Sequence, residues 1–261
     1  MTGNHHDPDL SPEELDALFE RDRLAAAEIF AAKFKREVST AITNIEHINQ
    51  IASARILAHS QVASASMMTS AEVMAASLIM QAETAASEME ERLRDDYEDM
   101  EVIQNLIKDI GESTTEVISR NAKETVEEIE NEAKQAIAQI KAGATKAIGE
   151  IRSLGRDVSA RVTKNAEAAE ARLIKEKKTQ RTPEEVVGHA KAAAEKVRRH
   201  YLLISKELHD TSDKATASLN ATVDEAAKVI SEAVTAAERR INEARDAALG
   251  IINRTIARQE G

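Results

Sequence analysis

Apolar side chains along this chain recur every eleven residues. Ile107, Ile118, Ile129, Ile140, Ile151, Val162 and Leu173 follow one another at that spacing, which is three helical turns at about 3.67 residues per turn. Val126, Ile137 and Ile148 run beside them, and small residues fill the slot four places after Ile118, Ile129, Ile140, Ile151 and Val162, at Ala122, Ala133, Ala144, Gly155 and Ala166. Two helix backbones can approach closely at such slots. The stripe covers an arc of about 100°, the width of a coiled-coil seam rather than of a broad amphipathic face.

Two further sets share the period. Val186, Val197, Leu208, Leu219, Ile230, Ile241 and Ile252 follow Pro183, flanked by Ala193, Ile204, Ala215, Ala226, Ala237 and Ala248. Phe34, Ile45, Ile56, Met67, Leu78, Met89 and Met100 occupy the N-terminal region. The step from Met100 to Ile107 is seven, a change of phase between the first and second blocks. An eleven-residue repeat drifts opposite to a heptad and predicts a right-handed supercoil. The expectation is an all-α, long, right-handed hendecad coiled coil. Each buried Ile or Leu contributes about 1.5–3 kcal/mol, so seam packing is what offsets the ordering of such long helices.

Start signals divide the pattern. Leu10-Ser11-Pro12-Glu13-Glu14-Leu15 combines a Ser cap, Pro at the first helical position, a capping-box Glu14 and a Leu10/Leu15 staple. Thr182-Pro183-Glu184-Glu185-Val186 repeats the device, and Pro183 in mid-helix would break the backbone ladder. This predicts one helix over about 12–178 and a second over about 183–258, about 250 Å and 110 Å long. Gly111 is a weaker break signal, since a single Gly costs only about 1 kcal/mol in a helix. The sets from Ile107 to Leu173 and from Val186 to Ile252 span equal lengths, so the C-terminal helix is expected to fold back as an antiparallel hairpin, Leu173 near Val186 and Ile107 near Ile252. The implied organisation is a disordered segment 1–11, a Met-rich assembly region 12–102, a hendecad helix 103–178, a turn 179–182 and a C-terminal hendecad helix 183–258.

One stretch departs from the scheme. Across residues 52–82 only Arg55 and Glu72 are charged, and Ile51, Val62 and Val73 repeat at eleven on a side away from the main seam, as do Leu57, Met68 and Ile79 on another. A helix that is apolar all round is normally buried all round, which predicts that several helices converge here. Met67, Met68, Met74, Met80, Met89 and Met100 cluster in and after it. Thioethers at helical spacing usually fill core gaps and can also form an adaptable docking surface. Phe19, Phe30 and Phe34 lie near one face and read as core.

Composition narrows the function. Aromatic residues are 2% of the chain, and Gly and Pro together number eleven, too few for a sheet-rich or multi-element domain. The absence of cysteine removes disulfide and thiolate chemistry and suits a reducing, cytoplasmic setting. The first ten residues lack the basic start and apolar core of a signal peptide, and no uninterrupted apolar run reaches the roughly 18 residues of a membrane span. A net charge of -11 opposes binding to nucleic-acid phosphates. Residues 83–132 hold 17 acidic and 5 basic side chains, and residues 141–181 hold 5 acidic and 11 basic. These blocks are solvated faces, or pair with each other between staggered neighbours.

No phosphate loop, nucleophile elbow or His-x-x-x-His metal spacing occurs, so neither a metal nor another cofactor is expected. His189 and His200 are eleven apart, about 16 Å along a helix, too far to share an ion. The basic run at 172–178 is explained as cations meeting a helix C-terminal dipole. The chain is therefore read as a non-enzyme: a scaffold or structural coiled coil that self-associates through its seam and docks another helical protein through its N-terminal region, with no nucleic-acid partner. An amphipathic coat on a membrane or storage-granule surface is the alternative. In its eleven-residue repeats and Ala-rich, Cys-free composition the chain resembles apolipoproteins and the granule-coating phasins, although it carries no sequence motif of either. A third option, a chain disordered until dried or bound, conflicts with regular Ile at the seam.

Overall fold

The computed structural model describes residues 11, 13–14, 22–94, 100–174 and 184–258, the side chains of 184–187 aside. It is an all-helical three-helix bundle. Helix α1 spans Arg23–Arg92, α2 spans Met100–Ile174 and α3 spans Glu184–Ala257. Among the described residues there is no strand, cis peptide or positive φ.

The single helix expected over 12–178 is thus two helices. The chain leaves α1 through a tightened turn in which the Arg94 amide donates to the Glu91 carbonyl, three residues back, at 3.0 Å. Neither Gly nor Pro marks this break, and Gly111, the break the residues suggested, lies inside α2. A chain of this length gains more by laying a third apolar stripe against the other two than by extending alone into water. The Ser11 capping box forms as its sequence predicts: the Ser11 amide donates to Glu14 Oε2 at 2.9 Å and the Glu14 amide donates to Ser11 Oγ at 3.3 Å. The Leu10/Leu15 staple, the Thr182-Pro183 start, the 1–10 segment, Phe19 and most of the basic run fall outside the described residues.

The chain divides into two compact units, one formed by Met1–Ser53 with Ala144–Ala221 and the other by Ala54–Gly143 with Thr222–Gly261. In the first unit the core is built from Ile29, Phe34, Val38 and Ile45 of α1, Ile151, Val158, Val162 and Leu173 of α2, and Val197, Ile204, Leu208 and Leu219 of α3. Phe30 stacks on Phe34 with ring centroids 6.2 Å apart. Polar links tie the helices at fixed points. Arg23 Nη1 donates to the Leu173 carbonyl at 3.0 Å, the Thr163 and Tyr201 hydroxyls lie 2.9 Å apart, Lys196 pairs with Glu28 at 2.6 Å, and Arg161 pairs with Glu37. Arg161 of the basic block is therefore matched by Glu37 of α1, outside the acidic block.

The second unit packs Ile56, Met67, Leu78 and Met89 of α1 against Ile103, Ile107, Ile118, Ile129 and Ile140 of α2 and Ile230, Ile241 and Ile252 of α3. His59 meets Gln139 at 2.8 Å. Gly111 matters here because a Cβ at that position would sit 2.6 Å from Ile256 Cδ1, inside the space the Ile fills. By sequence the first unit holds 21 acidic and 21 basic residues and the second 25 and 14, so the whole net charge of -11 belongs to the second.

Candidate interaction surface

Burial follows the eleven-residue pattern closely. Along α2 the buried positions 118, 122, 125, 129, 133, 136, 140, 144, 147 and 151 step by 4, 3 and 4 repeatedly. Of the seam residues, Phe34, Ile45, Ile56, Met67, Leu78 and Met89 of α1 are all 4% exposed or less, as are Ile107, Ile118, Ile129, Ile140, Ile151, Val162 and Leu173 of α2 and Val197, Leu208, Leu219, Ile230, Ile241 and Ile252 of α3. Val186 opens α3, its side chain outside the described residues. The seam is satisfied within one chain, so a surface for any second molecule must lie elsewhere. Met100, a member of the N-terminal set by spacing, is 60% exposed, because it starts α2 after the chain has turned.

The stretch over 52–82 differs from expectation. It is buried on one face only. Val62, Val73 and Met80 are 71%, 66% and 62% exposed, and Leu57 is also exposed. In a three-helix bundle each helix has two neighbours on one side and water on the other, so a second apolar face has nothing to cover it. The signal was present in the residues: the Ile51, Val62, Val73 series lies well away from the seam, and one seam per helix suffices for a bundle. Around this face charge is scarce, whereas α2 and α3 are studded with exposed ion pairs such as Lys123 with Glu127 and Lys228 with Glu232. Leu24, Leu202, Leu203 and Ile174 are exposed singly or in pairs, which is ordinary for a protein surface.

By length and mean hydropathy, 1.3 over an 18-residue window of which 28% is buried, α1 is long and apolar enough to cross a membrane. This revises the expectation drawn from uninterrupted apolar runs, since small residues and serines raise the hydropathy of the stretch without forming such a run.

The surface carries grooves. One of about 680 Å³ in the first unit, between α2 and α3, is lined by Arg152, Gly155, Arg156, Ser159, His209 and Ser212 among others. Another of about 450 Å³, between α1 and α2 in the same unit, is lined by Lys33, Arg36, Glu37 and Arg161 with apolar neighbours. In the larger groove His209 Nε2 lies 3.4 Å from Asp213 Oδ2, both side chains exposed. His209 and Asp213 are a solvated pair four residues apart on one helix. The Ser205 and Ser212 hydroxyls are buried without a hydrogen-bond partner. Among the described residues no three His, Asp or Glu side chains converge as a metal site would require. His189 is exposed and His200 half-buried.

The chain matches no family model and no curated protein. Among solved structures it is similar to a computationally designed three-helix bundle, at 13% identity and a TM-score of 0.52 over 94% of this chain and 96% of that one. At that identity the likeness shows the fold alone.

Proposed function

We propose that this protein is a non-enzymatic scaffold or structural bundle that self-associates, and docks other helical proteins, through the outward face of α1. The observation that carries the reading is the exposed, nearly uncharged apolar strip around Val62, Val73 and Met80 on an otherwise charged surface. The 3-4-4 stepping of buried positions supports packing as a right-handed hendecad coiled coil. The nearness of Thr163 to Tyr201 in the first unit, and of Gly111 to Ile252 in the second, supports an antiparallel α2/α3 hairpin. A cytoplasmic setting accords with the absence of cysteine.

Sedimentation equilibrium at several loading concentrations, with circular dichroism, tests the proposal. Reversible association of a fully helical chain is the expected result, and a monomer at every concentration would refute it. A second reading, a coat on a lipid or granule surface, draws on the apolarity of α1. It predicts flotation with liposomes and no association in their absence. Lipid-lying helices usually carry Lys and Arg along the borders of the apolar face; Arg55 is the single basic residue over 52–82.

A further inference from the structure

We infer that the groove between α2 and α3 in the first unit binds a phosphorylated polyol, its phosphoryl group on Arg152 and Arg156 and its hydroxyls directed toward Ser205. The inference is independent of the α1 face, since the groove is lined by α2 and α3.

Helical spacing assembles the two walls. Positions 152, 155, 156, 159 and 163 share one face of α2, and positions 205, 208, 209 and 212 share one face of α3. Gly155 meets Ser212 and Thr163 meets Tyr201, so the two faces run in opposite directions along the groove. Arg152 and Arg156 therefore stand at the end near Ser212, and Ser205 lies toward the other. At about 680 Å³ the groove falls within the usual range of small-molecule sites, about 300–1,000 Å³.

The cationic end selects an oxyanion. Arg152 and Arg156 are one helical turn apart, about 6 Å along the axis. Both are exposed, and neither forms an ion pair with a carboxylate among the described residues. Arg156 Nε donates to the Arg152 carbonyl at 3.3 Å, which leaves its two terminal nitrogens for a ligand. Guanidinium forks match the oxygens of a phosphate monoester, which carries about 1.5–2 negative charges at neutral pH. Asp213 is the one carboxylate in the lining, and its Oδ2 lies 3.4 Å from His209 Nε2. Two guanidiniums and an imidazole outweigh it.

The floor selects the rest of the ligand. The Ser205 and Ser212 hydroxyls are buried with no hydrogen-bond partner in the protein, and a polar molecule supplies what they lack. Ser212 is 7% exposed, and its hydroxyl reaches the groove by turning about the Cα–Cβ bond. Gly155 leaves room for that turn, because a Cβ there would stand 2.7 Å from Ser212 Oγ. The two serines are seven residues, about 10 Å, apart along α3, too far for one phosphate and within reach of a hydroxylated chain extending from it. No Phe, Tyr or Trp lines the groove to stack on a nucleobase.

Nitrogen–proton correlation spectra of the full-length protein in phosphate-free buffer test the inference. Sorbitol phosphate should shift the Gly155 amide saturably and leave that of Gly143, about 18 Å away along α2, in place. Inorganic phosphate should bind at least about 10-fold more weakly, and sorbitol not at all. Arg152→Ala and Arg156→Ala, both at exposed positions, should each weaken binding about 10-fold or more with the melting temperature unchanged, and Asp213→Asn should tighten it. Ser205→Ala should weaken sorbitol phosphate about 3-fold and leave inorganic phosphate unaffected. A free polyol phosphate and a lipid headgroup share this chemistry. Flotation with vesicles containing phosphatidylinositol phosphate, absent with phosphatidylcholine alone and lost in R156A, would support the site and name a lipid as its source. Equal affinity for inorganic phosphate and sorbitol phosphate would overturn the ligand class. No saturable shift at Gly155 and no such flotation, or binding that R152A and R156A leave unchanged, would overturn the site itself.

Discussion

Replacing the glycines of α2 one at a time sets helix propensity against packing at positions where the structure assigns different winners. Gly143 and Gly149 are exposed, and a Cβ at either would meet nothing within 4 Å. Alanine there should stabilise by about 1 kcal/mol each, the gain in helical propensity and the loss of unfolded-state freedom. Gly155 lies on the same helix, but a Cβ there would stand 2.7 Å from Ser212 Oγ and 3.7 Å from Ser212 Cβ. Ser212 is buried and its side chain is short, so the hydroxyl can yield only by turning or by moving α3. Overpacking of this kind costs about 1–3 kcal/mol, which cancels or exceeds the propensity gain. Gly155→Ala should therefore be neutral to destabilising by about 2 kcal/mol.

Ser212→Ala removes the clashing oxygen, itself a buried hydroxyl without a partner, and leaves the Cβ at ordinary contact distance. Alone it should be neutral or mildly stabilising. In that background Gly155→Ala should recover its gain of about 1 kcal/mol, a coupling of about 1–3 kcal/mol between the two sites. Urea denaturation followed by circular dichroism measures all five proteins. If Gly155→Ala stabilises as much as Gly143→Ala, or if the Ser212 background leaves its effect unchanged, α2 and α3 do not approach as described.

Other outcomes follow from the same packing. Ile140 is 3% exposed, so Ile140→Asp should cost about 3–5 kcal/mol in denaturant, whereas exposed Glu150→Lys should stay within about 0.5 kcal/mol. The Thr163 hydroxyl donates to the Ser159 carbonyl at 2.8 Å and accepts from Tyr201, so Tyr201→Phe deletes one of its two partners and should cost about 1 kcal/mol or less, with Thr163→Val adding less in the double variant than alone. The Glu14 carboxylate is held below its ordinary value, first by the Ser11 amide and then by the Ser11 hydroxyl. A depressed folded-state value means that the cap contributes fully above the unfolded value of 4.5 and is lost as pH falls through the lower folded one. Hydrogen exchange at the Ser11 amide should accelerate over that acidic interval relative to a Glu14→Gln control, whose cap does not titrate.

The core was legible residue by residue because a seam position is a local property of a helix. Ile118 or Ile241 must face inward whatever the helix packs against. Helix number was less legible, since the reversal after α1 carries no Gly or Pro. What marked it was the seven-residue step from Met100 to Ile107, which reads as a shift of phase in one continuous helix and as a new start in a bundle. The exposed face over 52–82 was misread for a related reason. Apolarity on two sides of a helix states that both sides want cover, and a bundle of three covers one. Grooves such as the one at Gly155 depend on which side chains of different helices meet, information that spacing along one chain does not hold.

The uneven placement of charge gives dissolved salt a selective effect. With 25 acidic against 14 basic residues, the second unit works against its own repulsion, while the balanced first unit does not. Raising ionic strength shortens the range of that repulsion and should firm the half that carries the α1 strip. Its helices should then resist urea better in a saline buffer than in a dilute one, with little change in the other half.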